Sequence, residues 1–415
     1  MKRLSIMIVL LTICLSFSIS MAETSTSGIG HEFGGYWRTR GYMMRNFTGE
    51  SNTGDLDMSL IDTRTRLYYT AVINDNLKLV NKFEMNAYWG DNRADASSSG
   101  YGDFGTDGKD FQIKHTYADF NIGCMNAKIG AQGRVLARGF LIDDDFAGAV
   151  LTCQTGPLSL PFMWAKIDEG FAGKDANEGD FDYYGFLPEL KINDNIQLNP
   201  YVLFAYKQAS ETEIYFLGSD LDMNMGPMSL WLTVIWEGYA NDSHAYAYLG
   251  AVGGNVDLGM AGIHAQTFYA SGQCNSDSDK RAFFVPAGQS YYWGEIMGYG
   301  TFDELYSNNS PGDRISNIWA TNVGATLKPM AKLSVSFDLW YAVLAEDIMV
   351  TDLNDRERGS EDELGLEADL KVTYQLMDNL DLDVVLAYLI AGDATYKGRY
   401  EEDPYEIGTQ LSLSF

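Results

Sequence analysis

After residue 22 the sequence has no run of the ~18 or more apolar residues that a membrane-spanning helix needs, so crossing by helices is excluded there. Positive charge is scarce: 29 Lys and Arg stand against 57 Asp and Glu, a net charge of −28. Binding to nucleic acid needs a basic footprint, which this composition excludes. Proline is also rare, at 9 in 415 residues, and segments with a 3.6-residue apolar period are few. A soluble chain of this length would usually divide into two or three domains with such segments. The four histidines, His31, His115, His244 and His264, fall on different predicted strands. Ser243 and His244 are neighbours, so on a strand they point to opposite faces. His115 and Asp119 share a face but have no nucleophile beside them. The expectation is a protein that is not an enzyme and holds no metal or cofactor.

What is abundant is glycine and aromatic residues: 42 Gly, 26 Tyr, 21 Phe and 8 Trp. The chain opens on Lys2 and Arg3, an apolar stretch from Leu4 to Ile19, and the small residues Ser20 and Ala22 around Met21. This is the pattern of a secretory signal peptide over 1–22, cut before Glu23. Its loss takes Cys14, Lys2 and Arg3 but no acid, so the charge of residues 23–415 becomes −30. Cys124, Cys153 and Cys274 remain, an odd number that leaves at least one thiol without a partner in the chain. Cys124 and Cys153 both lie near predicted short turns, so a bridge between them stays open.

Beyond the leader, residues alternate apolar and polar. Tyr405, Ile407, Leu411 and Leu413 alternate with Glu406, Gly408, Gln410 and Ser412, and the chain ends on Phe415. The same dyad recurs through Leu380–Ile390, Leu364–Tyr374 and Leu333–Val343. Each run is close to the ~10 residues of a tilted membrane strand. Eight tight turns are predicted, at 74–76, 121–126, Gly156-Pro157, 193–195, Gly226-Pro227, 253–255, Lys328-Pro329 and Asp378-Asn379. The intervening connections are longer and acidic: 91–109, 169–180, 271–313 and 346–363. Short turns on one side and long loops on the other predict an all-β, antiparallel, up-and-down transmembrane barrel of about 18 strands. Residues 23–415 would form it, with turns on the periplasmic side and loops outside. Only Glu23 to Gly30 precedes the first strand, which leaves no room for the plug of a gated receptor.

The terminal Leu411-Ser412-Leu413-Ser414-Phe415, the strand-two sequence Arg64-Thr65-Arg66-Leu67, and the order Ala118-Asp119-Phe120, Ile129-Gly130-Ala131-Gln132, Asp143-Asp144-Asp145 carry a resemblance. The chain resembles a Gram-negative outer-membrane porin, and the order is similar to that of alginate-export-like 18-stranded porins. The resemblance implies location in the outer membrane, contact with its lipid and lipopolysaccharide, and small hydrophilic solutes as cargo. It also implies that Phe415 is the assembly signal read by the barrel-insertion machinery. Oligomeric state stays open between monomer and trimer.

In a barrel the polar half of each dyad faces the lumen. This phase turns Arg38 and Arg40 inward on strand one, Asp62, Arg64 and Arg66 on strand two, Lys82 and Glu84 on strand three, and Arg134 on strand five. A charge on the lipid face at mid-membrane would cost about 2–4 kcal/mol, which selects this phase. The basic set reads either as one wall of a pore constriction or as half of a lumen ion-pair system with Asp62, Glu84, Asp338, Glu367 and Asp369. The loop Leu136 to Asp145, with Asp143, Asp144 and Asp145, is a candidate constriction loop or an exposed acidic loop. Trp37, Trp89, Trp164, Trp231, Trp236, Trp319, Trp340, Tyr374 and Tyr405 read as interfacial girdles. The function expected is a passive channel for ions and small hydrophilic solutes; the alternative is a selective channel for an anionic sugar or oligosaccharide.

Overall fold

The computed structural model describes residues 28–47, 57–90, 110–170, 179–273, 280–307, 310–351, 357–395 and 402–415. The expected leader, the acidic stretch 91–109, most of 169–180 and Cys274 lie outside the described residues. In chain order the strands are β1 (Gly30–Arg45), β2 (Met58–Asn74), β3 (Leu77–Tyr88), β4 (Asp110–Ile122), β5 (Met125–Leu136) and β6 (Ile142–Thr155). Then come β7 (Leu158–Asp168), β8 (Phe181–Phe186), β9 (Glu189–Asn193), β10 (Ile196–Lys207), β11 (Thr212–Met225), β12 (Met228–Tyr239) and β13 (Asp242–Asp257). The last are β14 (Ala261–Ala270), β15 (Ile318–Met330), β16 (Leu333–Thr351), β17 (Glu357–Met377), β18 (Leu380–Ala391) and β19 (Tyr405–Ser414).

Both β8 and β9 pair with β7 and with β10, so they are two halves of one wall strand. The break falls at Leu187-Pro188. Pro188 has no N–H to give the ladder, and the Leu187 N–H is donated to Pro161 O at 2.9 Å. The nineteen segments therefore fill eighteen wall positions, as the alternation predicts. All neighbours are antiparallel, and β1 closes the ring. It pairs with β2 from Gly30↔Val72 to Met44↔Met58 and with β19 from Tyr36↔Ser414 to Arg45↔Tyr405. Phe415 extends this seam, exchanging backbone hydrogen bonds with Gly35 at 2.8 and 3.1 Å.

Six predicted turns stand where the turn residues lie. Two move. The Gly253–Asn255 stretch is inside β13, and its turn is at 258–260. Gly253 is there for space: a Cβ on it would sit 2.5 Å from the indole of Trp231 on β12. Lys328-Pro329 lies at the end of β15, where the register shifts, and the turn follows at 331–332. Proline is tolerated at such an irregularity. On the other side, the connections 137–141, 208–211 and 240–241 are shorter than the predicted asymmetry requires. The predicted loop 346–363 is largely an extension of β16 and β17 past the ring, from Ile348↔Glu361 to Thr351↔Glu357.

The alternation sorts side chains by face. On β12, Leu232, Val234 and Trp236 are exposed while Thr233, Ile235 and Glu237 are buried. Similar exposed rows recur around the ring, as in Val323 and Leu327 on β15 and Leu386, Tyr388 and Ile390 on β18. A continuous apolar belt of this kind is suited to hydrocarbon and not to water. No helix among the described residues is long and apolar enough to cross a membrane. Of the aromatic residues read as girdles, Trp89, Trp164, Trp236, Trp319, Tyr374 and Tyr405 are exposed. Trp37 is half-buried. Trp340 and Trp231 belong to the inside: Trp340 is 2% exposed and packs on Trp293 at a ring separation of 5.1 Å, and Trp231 lies under the Arg138 guanidinium.

The buried core lies within the ring. The described parts of the connection from β14 to β15, residues 280–307 and 310–317, do not stay outside. Their Phe283, Ile296, Met297, Phe302 and Ile315 are fully buried, along with Phe140 and Phe268. Phe140 stacks on Tyr291 at 3.9 Å, and Phe268 meets Trp293 edge-on at 5.4 Å. Burying such rings removes roughly 150–250 Å² each from water, which is what holds a long loop in place against its chain entropy.

Candidate channel lumen

The inner segment is fixed by polar contacts spread around the ring. On β12, Glu237 accepts the Phe284 N–H at 2.8 Å. On β14, Gln266 accepts the Tyr291 hydroxyl at 2.7 Å. On β17, both oxygens of Glu367 accept backbone N–H groups, from Ile296 and Met297, each at 2.8 Å. Beside it Asp369 accepts the Glu295 N–H at 3.4 Å. On β3, the Tyr88 hydroxyl donates to Glu304 at 2.8 Å. The walls β3 and β12 are eight positions apart in an eighteen-strand ring, so the segment crosses the lumen.

Arg40 is the best-connected basic residue. Its Nε and Nη2 donate to Asp62 at 2.8–3.1 Å, and its Nη1 donates to the carbonyls of Thr301 and Phe302 and to Asp303. Its side chain is 2% exposed. A guanidinium presents five donors in a rigid fork, and Arg40 spends them between its own wall and the inner segment. Arg38 lies 3.6 Å from Asp303. Arg64 and Arg66 both turn to Glu84, at 3.4 and 2.6 Å, and Arg64 also donates to Asn86 at 2.6 Å. Arg134 reaches Glu189 across to β9 at 3.3 Å. The Lys82 ammonium lies 5.9 Å from the centre of the Tyr68 ring.

Of the predicted acids, Asp62, Glu84, Glu367 and Asp369 are buried. Asp338 is held by His264 at 2.6 Å and by Asn322 at 3.0 Å. The structure thus brings Arg38, Arg40, Arg64, Arg66, Asp62 and Glu84 into one arc on β1–β3. Arg134 stands apart on β5, and Asp338, Glu367 and Asp369 stand on β16 and β17. The predicted loop Leu136–Asp145 needs correction. It shrinks to 137–141, and Asp143, Asp144 and Asp145 are the opening residues of β6. The Asp145 carboxylate is tied to Lys114 at 2.7 Å and His115 at 2.8 Å. The Asp143 N–H donates to Gly288 O at 2.8 Å, so this strand end is an anchor for the inner segment. Gly139 (φ 95°) makes the neighbouring anchor possible: its carbonyl accepts the Ser290 N–H, and a Cβ there would lie 2.1 Å from Ser290 O.

Sequence reasoning did not find Glu295, Asp303 and Glu304, which meet the wall, or Glu237 and Gln266, which hold the segment. The available signal was the density of Tyr, Trp, Ile and Met in the longest connection. On the inner segment, burial raises Glu304 above the usual carboxylate range; Asp303 beside it adds to the rise, and the Tyr88 hydroxyl opposes it. Burial pushes the Tyr299 hydroxyl up to about 12. Tyr299 lies between Tyr292 and Tyr306, at ring separations of 6.3 and 5.7 Å, and those two rings are about half exposed.

No protein-family model matches the sequence, and no curated protein does. Solved structures do. The chain is similar to OpdQ of Pseudomonas aeruginosa, with a TM-score of 0.59 at 12% identity over 93% of this chain and 97% of that one. It is similar to OccAB1 of Acinetobacter baumannii, with a TM-score of 0.59 at 12% identity over 93% and 96%. It is also similar to the outer membrane protein OprD of Pseudomonas aeruginosa, with a TM-score of 0.54 at 12% identity over 93% of both chains. The likeness is one of fold. It spans nearly the whole of each protein, so the eighteen-position closed barrel is shared from end to end.

Proposed function

We propose that this chain is an outer-membrane porin: a passive, water-filled channel for ions and small hydrophilic solutes. The observation that carries the reading is the combination of an apolar outer belt with a charged inner wall narrowed by a segment anchored on both sides. The fold shared with an outer membrane protein supports the location. Residues 1–22 act as the export signal, and Phe415, paired to Gly35 at the closing seam, serves the assembly machinery. Lipid covers the belt, and lipopolysaccharide meets the outer connections. Support for the narrower alginate-export-like resemblance is absent among the Opd, Occ and OprD structures described above.

Arg38, Arg40, Arg64, Arg66, Lys82 and Arg134 line the lumen with Asp62, Glu84, Asp338, Glu367 and Asp369. The constriction is formed by residues 280–307 and 310–317 in place of Asp143–Asp145. Because Arg40, Arg64 and Arg66 already face carboxylates, the basic arc is largely neutralised and the channel favours cations. Planar-bilayer recording of the purified protein tests both points. Discrete conductance steps and a cation-selective reversal potential in a KCl gradient are expected. A silent bilayer overturns the channel, and strong anion preference with block by an acidic oligosaccharide selects the alternative. Crosslinking in detergent separates monomer from trimer.

A further inference from the structure

Cys124 and Cys153 are 29 residues apart, yet their sulfurs lie 4.0 Å from each other at the turn side of the barrel. Register alone would separate them. Cys153 is paired with Met125, so a regular strand would turn Cys124 to the opposite face. Cys124 escapes that alternation because it follows Gly123 (φ 60°) in the two-residue turn between β4 and β5. Its side chain is exposed at the rim, and Cys153 is close to the end of β6. A disulfide bond needs the sulfurs at about 2.05 Å. A rotation about the Cα–Cβ bond of the exposed Cys124 moves its sulfur on the scale of the remaining gap, without shifting the ladder.

We infer that Cys124 and Cys153 form a disulfide that staples the β4–β5 turn to the end of β6. The inference rests on the exported location proposed above, where thiols meet an oxidising compartment. The oxidant is a protein disulfide of the cell envelope. One cysteine thiolate attacks it to form a mixed disulfide; the second thiolate attacks the first cysteine's sulfur and expels the reduced carrier. Two protons and two electrons leave the pair, and the carrier disulfide becomes a dithiol. The staple closes the hairpin that carries Arg134, Arg138 and the Asp143 anchor of the inner segment.

Trypsin gives the test, because cleavage after Lys114, Lys128, Arg138 and Lys166 puts the two cysteines in separate peptides, 115–128 and 139–166, while Cys274 falls in 208–280. Protein from membranes is acid-quenched, alkylated in denaturant without reductant, and mapped by mass spectrometry. A linked 115–128/139–166 species that disappears on reduction is expected, with Cys274 alkylated. In Cys124→Ser, Cys153 becomes alkylated. Full alkylation of both wild-type peptides, or a link from either to 208–280, overturns the proposal. A second arm refolds purified chain into detergent with a glutathione redox mixture. Failure to link there overturns the geometric inference wherever the chain resides; linkage there with reduced thiols in cells, and no outer-membrane fraction, overturns the location instead.

Discussion

Arg40 concentrates the chemistry of the lumen in one side chain. It is buried, paired to Asp62 on the wall, and bonded to the Thr301 and Phe302 carbonyls and Asp303 on the inner segment. Arg40→Ala leaves Asp62 buried without its cation, and loss of one partner of a buried pair costs about 3–5 kcal/mol. Denaturant unfolding of the detergent-solubilised barrel should show a loss of that order, and single-channel conductance should rise as the segment loosens. An unchanged midpoint with unchanged conductance would refute this role. Glu304 supplies a pH dependence. Its carboxyl binds a proton more tightly docked than free, so its contribution is complete below the free value of about 4.3 and is lost as pH rises through the raised one. Docking should therefore weaken with rising pH in that window, read as increasing conductance. Glu304→Gln should flatten the profile; a profile that persists in this variant assigns the effect elsewhere.

Among elements, the strands were the most legible in the sequence and the inner segment the least. The dyads of β16 to β19 are local, so Leu380 to Ile390 announces its strand and its face without help from the rest of the chain. Turn residues likewise act locally, and the two displaced turns are instructive. Gly253 is a glycine because Trp231 approaches it across the sheet, a reason invisible without the register. The same blindness hid the inner segment. Arg40 and Thr301 are 261 residues apart, and Glu367 meets backbone N–H groups that no side-chain pattern records. The basic arc could be placed by phase, but whether its charges were free or paired depended on Glu84 and Asp303, one on the neighbouring strand and one far along the chain. Gly139→Val tests the segment as an element. A β-branched side chain at φ 95° against Ser290 O should release the anchor. Trypsin should then cut the folded protein at Arg314 at least several-fold faster. A wild-type cleavage rate would show that the anchor is dispensable.

At the scale of the molecule, closure depends on one seam. β1 and β19 are the two ends of the ring, and Phe415 adds a last pair of backbone bonds to Gly35. Deleting Phe415 should lower the yield of heat-modifiable, folded protein in the outer membrane while leaving total synthesis unchanged. Equal folded yield would remove it as an assembly signal. The net charge of −28 is likewise a property of the whole, yet it is reversed locally on the inner wall, where Arg64 and Arg66 share the one carboxylate of Glu84. Neutralising Glu84 by Glu84→Gln should free Arg64 and Arg66 and shift the reversal potential toward anions.

The inner segment also sets a rule for what this barrel can become. Tyr88 and Glu237 hold it at Glu304 and Phe284 from walls eight positions apart, so the segment acts as a gauge of diameter. Inserting or deleting a hairpin would change the circumference and pull one of those two contacts from its partner. Barrels without such a spacer can grow by duplicating hairpins. This one has its circumference specified from within, and its size can change only if the crossing segment is rebuilt in the same step.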